Sequence, residues 1–185
     1  LDTLARNYNN RNPEAWLYEI SSEYLPREGE DLPEEKAVLM VGCYGGEADF
    51  FTLKGTVESL LSRLNLPRAD YTAVSTHPSY HPGRYAVLTV GDVEIGSVGE
   101  VHPTVLENFG IGCRAWIARL DIARLFAVRL PEATYHALPR FPASTRDLAV
   151  ICDESLPVAA IEKTITGAVG NILEQIKLFD VYRGA

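Results

Sequence analysis

The sequence predicts an α+β fold built on a largely antiparallel sheet, and three observations carry that prediction. Tyr85–Val90 and Glu94–Val98 read as two strands joined through Gly91-Asp92, and a turn that tight joins only antiparallel neighbours. Ala37–Tyr44 is an unbroken apolar run closed by Gly45-Gly46. Between them, 50–64 repeats apolar residues at three- and four-residue spacing, the mark of an amphipathic helix. Helices and strands interleave, and the hairpin rules out a purely parallel sheet.

Taken in order, residues 1–10 read as the end of a helix with Leu1 and Leu4 on one side, broken by Asn12-Pro13. Ala15–Leu25 is rich in aromatic and apolar residues and is expected as a strand. A charged loop, Pro26–Glu35, follows. Ala37–Tyr44 is expected as a central strand buried on both faces. In the helix, Phe50, Leu53, Val57, Leu60, Leu61 and Leu64 form the stripe, Asp49 caps the start and Pro67 blocks extension. Tyr71–Ser75 is a short strand, and the hairpin comes next. Pro103 suits the first turn of a helix whose C-cap is Gly110. Ala115–Leu120 supplies another strand and Asp121–Phe126 a helical turn.

Three prolines flank a polar stretch across Leu130–Pro142, and a domain boundary is placed there, giving domains 1–139 and 140–185. In the second, Leu148–Cys152 is expected as a strand. Pro157 opens a helix with Val158, Ile161, Ile165 and Val169 on one face, closed by Gly170, and Ile172–Tyr182 returns as a strand. A β-α-β unit of this size cannot be held by its own core.

The chain has 185 residues, 46% hydrophobic and 23% charged, a globular composition. No apolar run approaches the ~20 residues that span a bilayer, so no membrane partner is expected. The N-terminus has neither the basic start nor the apolar centre of a signal peptide, and Leu1 in place of Met leads us to expect a piece of a longer chain. Cys43, Cys113 and Cys152 share no metal-ligand spacing; they read as reduced, buried thiols of a cytoplasmic protein. A net charge of −8 opposes nucleic-acid binding except through a local basic patch.

The chemistry-bearing motifs are sparse. His77-Pro78, His81-Pro82 and His102-Pro103 repeat a dipeptide, but proline prevents the helix that would turn His77 and His81 toward one metal; turn histidines that satisfy loop backbone are expected. Gly91, Gly96 and Gly99 lie between strand residues, not in a phosphate-cradling strand-to-helix loop. Ser75 and Ser79 near His77 lack a nucleophile elbow. Glu28, Glu30, Asp31, Glu34 and Glu35 read as a solvated run. Arg140 and Arg146 beside Phe141, with Arg183 at the far end, could hold phosphate and stack a base, although acids lie alongside.

Four strings, in order, are recognisable together: Asp49-Phe50-Phe51-Thr52-Leu53-Lys54-Gly55 with Val57-Glu58; His81-Pro82-Gly83-Arg84; Ile95 through Pro103; and Phe141-Pro142-Ala143-Ser144-Thr145-Arg146-Asp147. Their order and spacing resemble those of bacterial phenylalanyl-tRNA synthetase beta subunits. Leu178-Phe179-Asp180-Val181-Tyr182-Arg183-Gly184 resembles the second strand of that family's ferredoxin-like anticodon-binding domain. The resemblance implies that 1–139 is a class II aminoacyl-tRNA synthetase-like sheet with flanking helices. It implies that 140–185 is the first half of the anticodon-binding domain, a partial ferredoxin-like β-α-β unit. It also implies an alpha subunit and tRNA(Phe) as partners, in a heterotetramer that uses ATP and Mg²⁺ with the chemistry in the alpha subunit. No catalytic, cofactor-binding or metal residue is expected in this chain; tRNA contacts fall to Arg140, Arg146 and Arg183.

A class II site needs a glycine-rich last strand and arginines on the nucleotide. The equivalent strand, Ala115–Asp121, has no glycine, and Trp116 and Ile117 are expected to fill the space of the adenine, with Arg119 and Arg124 nearby. The alternative is a vestigial cleft around His81, Arg84 and Glu100, kept as a small-molecule site.

Overall fold

The computed structural model describes residues 1–132, 135 and 140–182. By internal contacts the chain divides into two units, Leu1–His136 and Ala137–Ala185.

In the first unit, α1 (Asp2–Asn9) leads through Asn12-Pro13 into β1 (Ala15–Leu25), which pairs with β2 (Glu34–Tyr44) in unbroken register, Ala15 opposite Tyr44 and Leu25 opposite Glu34. Gly45 and Gly46, both at positive φ, turn the chain toward the next helix. There is no room for a side chain at Gly45, where a Cβ would stand 2.1 Å from the Pro13 carbonyl oxygen. α2 (Phe50–Arg63) starts on a reciprocal cap: Asp49 accepts from the Thr52 amide at 2.6 Å, and the Asp49 amide donates to Thr52 Oγ1 at 2.8 Å. Leu53, Val57 and Leu61 are its buried stripe. Beyond it, Asn65 at φ 56° donates from Nδ2 to the Pro131 carbonyl at 2.7 Å and accepts from the Leu130 amide at 3.0 Å, tying down the segment that leaves the sheet.

β3 (Asp70–Ala73), β4 (Tyr80–Val90) and β5 (Val93–Val101) form a meander. α3 (Pro103–Asn108) follows, with Gly110 at φ 68° just past its end. β6 (Ala115–Asp121) then runs into α4 (Ile122–Ala127), capped by Asp121 accepting from the Arg124 amide. Strand order is β1-β2-β6-β5-β4-β3 and every pairing is antiparallel. The expected α+β class with an antiparallel sheet is what forms.

The central position goes to β6, not β2. Six of the seven β6 residues are buried, whereas β2 is buried only at Val38, Cys43 and Tyr44. The apolar run at 37–44 looks like a doubly covered strand, yet β2 is flanked on its outer side by β1, which much of the helical cover does not reach. α2 packs over β5 and β6, and α4 over β2, β5 and β6. On that face Leu53, Val57, Leu61 and Leu125 meet Cys43, Leu88, Trp116, Ala118 and Leu120. On the other face α1 and α3 contribute Leu4, Ala5 and Leu106 to a second core with Tyr44, Tyr80, Tyr85 and Ile117.

The second unit contains α5 (Val158–Val169), entered from Pro157 and ended by Gly170 at φ 68°, then a single 3-10 turn, Gly170–Ile172. Leu148–Cys152 and Ile172–Tyr182, expected as strands, carry no strand among the described residues. In a split β-α-β arrangement the two strands are not neighbours, so each needs an inserted strand to complete a ladder. No described residue of this unit is buried. Cys152 is accordingly exposed, against the expectation of a buried thiol, while Cys113 is half-buried and Cys43 fully buried. Among the described residues no helix is long and apolar enough to cross a membrane.

Candidate functional site

Among the described residues the most buried ionised group is Glu100, near the end of β5. Its carboxylate is 3% exposed and accepts from Arg84 Nη1 at 2.9 Å, from Arg114 Nε at 2.9 Å and from Arg114 Nη2. β5 places Glu100 opposite Trp116, and Arg114, two residues before Trp116, emerges on the same side with its guanidinium 5.1 Å from the indole ring centroid. Burial is the largest single influence on Glu100 and pushes its pKa up; the hydrogen bonds and charges of Arg114 and Arg84 together outweigh it and hold it below the usual 4.5.

Of the three residues expected around a vestigial cleft, the structure therefore brings Arg84 and Glu100 together and adds Arg114. His81 is not in the ion cluster; its Nδ1 accepts from the Gly83 amide at 3.1 Å. His77 and His102 do the same to the Ser79 and Thr104 amides, each at 3.2 Å, so all three His-Pro rings satisfy their own loops. A recess of about 640 Å³ runs beside Glu100 and Arg114, walled by Tyr8, Leu106, Ile111 and Cys113. The paired charges on that wall are spent on one another.

The strand expected to line a nucleotide site, β6, turns one of its faces toward the second core, which α1 and α3 help to build. Arg119 lies there, opposite Met40 and Ser97, and forms a two-pronged ion pair with Glu23 of β1. Alternation along β6 puts Ile117 on the same face as Arg119 and sends Trp116 to the other, into the α2 core beside Cys43. Trp116 thus does not obstruct this face. Tyr80 and Tyr85 do: their rings stack at 4.4 Å between centroids, and His77 adds its edge to Tyr80 at 4.8 Å. Gly99 admits them, since a Cβ there would lie 2.9 Å from both tyrosine rings and from the Arg84 carbonyl oxygen. Burial, then Tyr85, pushes the Tyr80 phenol up to about 12, with a hydrogen bond to Ser97 acting the other way.

These residues do not fit an adenine nucleotide. The Arg119 guanidinium is committed to Glu23, Ile117 and the tyrosine pair fill the face beside it, and no β6 glycine lets a ligand approach the backbone. Arg124, the other candidate, donates to the Glu94 carbonyl at 2.8 Å and sits 3.6 Å from Asp121. Glu23 meets Arg119 from 96 residues away, and nothing local to β1 marks it as that partner.

Arg140 is exposed, and Arg146 is exposed with Nη1 bonded to Ser144 Oγ at 2.8 Å and the Thr145 carbonyl at 2.7 Å. Arg183 lies outside the described residues.

The family model described as the phenylalanyl tRNA synthetase beta chain CLM domain matches residues 1–122, and the ferredoxin-fold anticodon binding domain matches 139–185. The chain is 43% identical over its whole length to the phenylalanine–tRNA ligase beta subunit of Clostridium tetani and 42% identical to that of Symbiobacterium thermophilum. It spans only 23% and 22% of those relatives. Among solved structures it is similar in fold to pyrrolysyl-tRNA synthetase from Desulfitobacterium hafniense, with a TM-score of 0.53 at 19% identity over 69% of this chain and 46% of that one.

Proposed function

Starting from a chain that belongs to the phenylalanyl-tRNA synthetase beta chain family, we propose that the longer protein is the beta subunit of a cytoplasmic ligase that joins phenylalanine to tRNA(Phe) using ATP and Mg²⁺. In this reading the present stretch is a scaffold: its sheet packs against a companion alpha subunit, which holds the catalytic site, and the unit beyond 139 helps position tRNA through Arg140, Arg146 and Arg183. The name "beta subunit" carried by the relatives supports the companion, and the anticodon-binding match supports the tRNA.

The observation that carries the non-catalytic role is the Glu23–Arg119 pair under Ile117, Tyr80 and Tyr85. An arginine that must meet a nucleotide's phosphates cannot keep both prongs on a carboxylate, and a face filled by stacked rings has no slot for a purine. What these residues do instead is fix the sheet.

Calorimetric titration of ATP and Mg²⁺ into the chain tests this directly. No binding heat is expected up to millimolar ATP, while the full subunit, co-purified with its companion, charges tRNA(Phe). Micromolar ATP binding by this chain overturns the scaffold reading. Failure of the complex to charge tRNA(Phe) overturns the ligase reading.

A further inference from the structure

The cations that brace the sheet are each answered by a carboxylate: Arg84 and Arg114 by Glu100, Arg119 by Glu23, Arg124 by Asp121. Arg63, the last residue of α2, and Arg129, just past α4, are exposed and meet no acid among the described residues. One arginine at a helix C-terminus is ordinary, since it complements the helix dipole. Here two such ends are tied together by the Asn65 bonds to the backbone of 130 and 131. Both arginines line one hollow of about 180 Å³, with buried Leu66 and Leu125 and exposed Leu64 and Phe126 as its other residues. Phe126 is 69% exposed. The segments 59–69 and 122–131 that meet here carry four arginines and no acidic residue. This is the local basic patch that a chain of net charge −8 needs in order to meet a polyanion.

Two like charges on one rim repel each other unless an anion sits with them. The hollow itself is too small for a stretch of chain and takes a single ring. A nucleotide within an RNA strand supplies both, a planar base and a phosphate on either side of it. Bases stack on exposed aromatic rings, and the planar fork of arginine matches phosphate oxygens. An acidic peptide would have to set a carboxylate on each side of one apolar side chain, a spacing that RNA repeats at every nucleotide.

We propose that Arg63, Phe126 and Arg129 form an RNA contact on the first unit, holding one unpaired nucleotide of the tRNA with its base against Phe126 and its flanking phosphates on the two arginines. This rests on the reading above that the longer protein handles tRNA, and adds a contact outside the anticodon-binding match at 139–185. The contact is indifferent to base identity, because a ring face is met and no base edge is read.

The experiment uses the full-length beta subunit co-purified with its companion, and measures tRNA(Phe) affinity across a salt series. Arg63→Gln with Arg129→Gln changes two exposed side chains that hold no described acid. It is expected to weaken binding about tenfold at about 0.1 M salt and to flatten the slope of log affinity against log salt by about 1.4. Arg63→Lys with Arg129→Lys keeps both charges and should keep the slope. Phe126→Leu keeps apolar cover on the hollow and should weaken binding about fivefold with the slope unchanged. A slope unmoved by the glutamine pair overturns the proposal, as does an affinity unmoved by Phe126→Leu. Release of the companion subunit from the glutamine variant, with tRNA affinity intact, also overturns it, since the patch would then belong to a protein partner's acids. If the unmodified complex binds no tRNA, the functional reading fails and takes this proposal with it; a complex that binds and charges tRNA but ignores these changes sinks the proposal alone.

Discussion

Glu100 stabilises the end of β5 because three charge-assisted bonds converge on a carboxylate that water barely reaches, while its two arginines remain half in solvent. Removing it leaves cations that can rehydrate, so the cost falls below that of a fully buried pair: Glu100→Ala is expected to lower unfolding stability by about 2 kcal/mol in a denaturant titration. The sign of the pH effect follows from a folded-state pKa below the usual 4.5. The contribution is complete above that value and drains away as pH falls through the lower folded one, so the native chain and Glu100→Gln should converge in stability only in acid. Gly99 makes a sharper test. Its α-hydrogen faces two tyrosine rings and a carbonyl, and Gly99→Ala should cost about 1–3 kcal/mol and disturb the near-ultraviolet signal of the Tyr80–Tyr85 stack. Arg114 shows where sequence reading stops at this scale. Arg84 lies within β4, Glu100 near the end of β5 and Arg114 just before β6, and only the register of the three strands brings them together.

Among the elements, those with local chemistry were legible and those needing a distant partner were not. Asp49, the 53–57–61 stripe and Pro67 define α2 almost to the residue, as Pro157 and Gly170 define α5, because caps and apolar periodicity are written within each helix. Asp49→Ala removes one half of a reciprocal cap and should lower the unfolding midpoint in a thermal melt, with Asp49→Asn lowering it less. The strands are another matter. Leu148–Cys152 has the composition of a strand, but a strand exists only in its ladder. Conversely β1 and β2 both formed, with β6 taking the place that the apolar run of β2 suggested for β2 itself. Strand order is a property of pairings between segments far apart in sequence. The same limit applied to Trp116: its size was visible, but which face it occupied depended on register.

At the scale of the molecule, the two units differ in how they are held. The first has two cores with Leu53, Leu88, Ile95 and Leu120 fully buried, whereas no described residue of the second is buried. Limited proteolysis of the chain should therefore cut within 140–182 well before it cuts the sheet, leaving a resistant product that begins at Leu1 and ends near 130. Equal protection of both halves would contradict that picture. The Asn65 bonds to the backbone of 130 and 131 mark where the protected region should end.

The placement of β6 between β2 and β5 has a consequence for biosynthesis. β1 and β2 can zip as they leave the ribosome, and so can β3, β4 and β5, but the two groups share no strand contact until the last strand arrives to join them. At about 5–20 residues per second the nascent chain spends some seconds with both inner edges, at β2 and β5, open to solvent. β6 acts as a keystone delivered last, and the half-built sheet is the state in which chaperones have the most to bind.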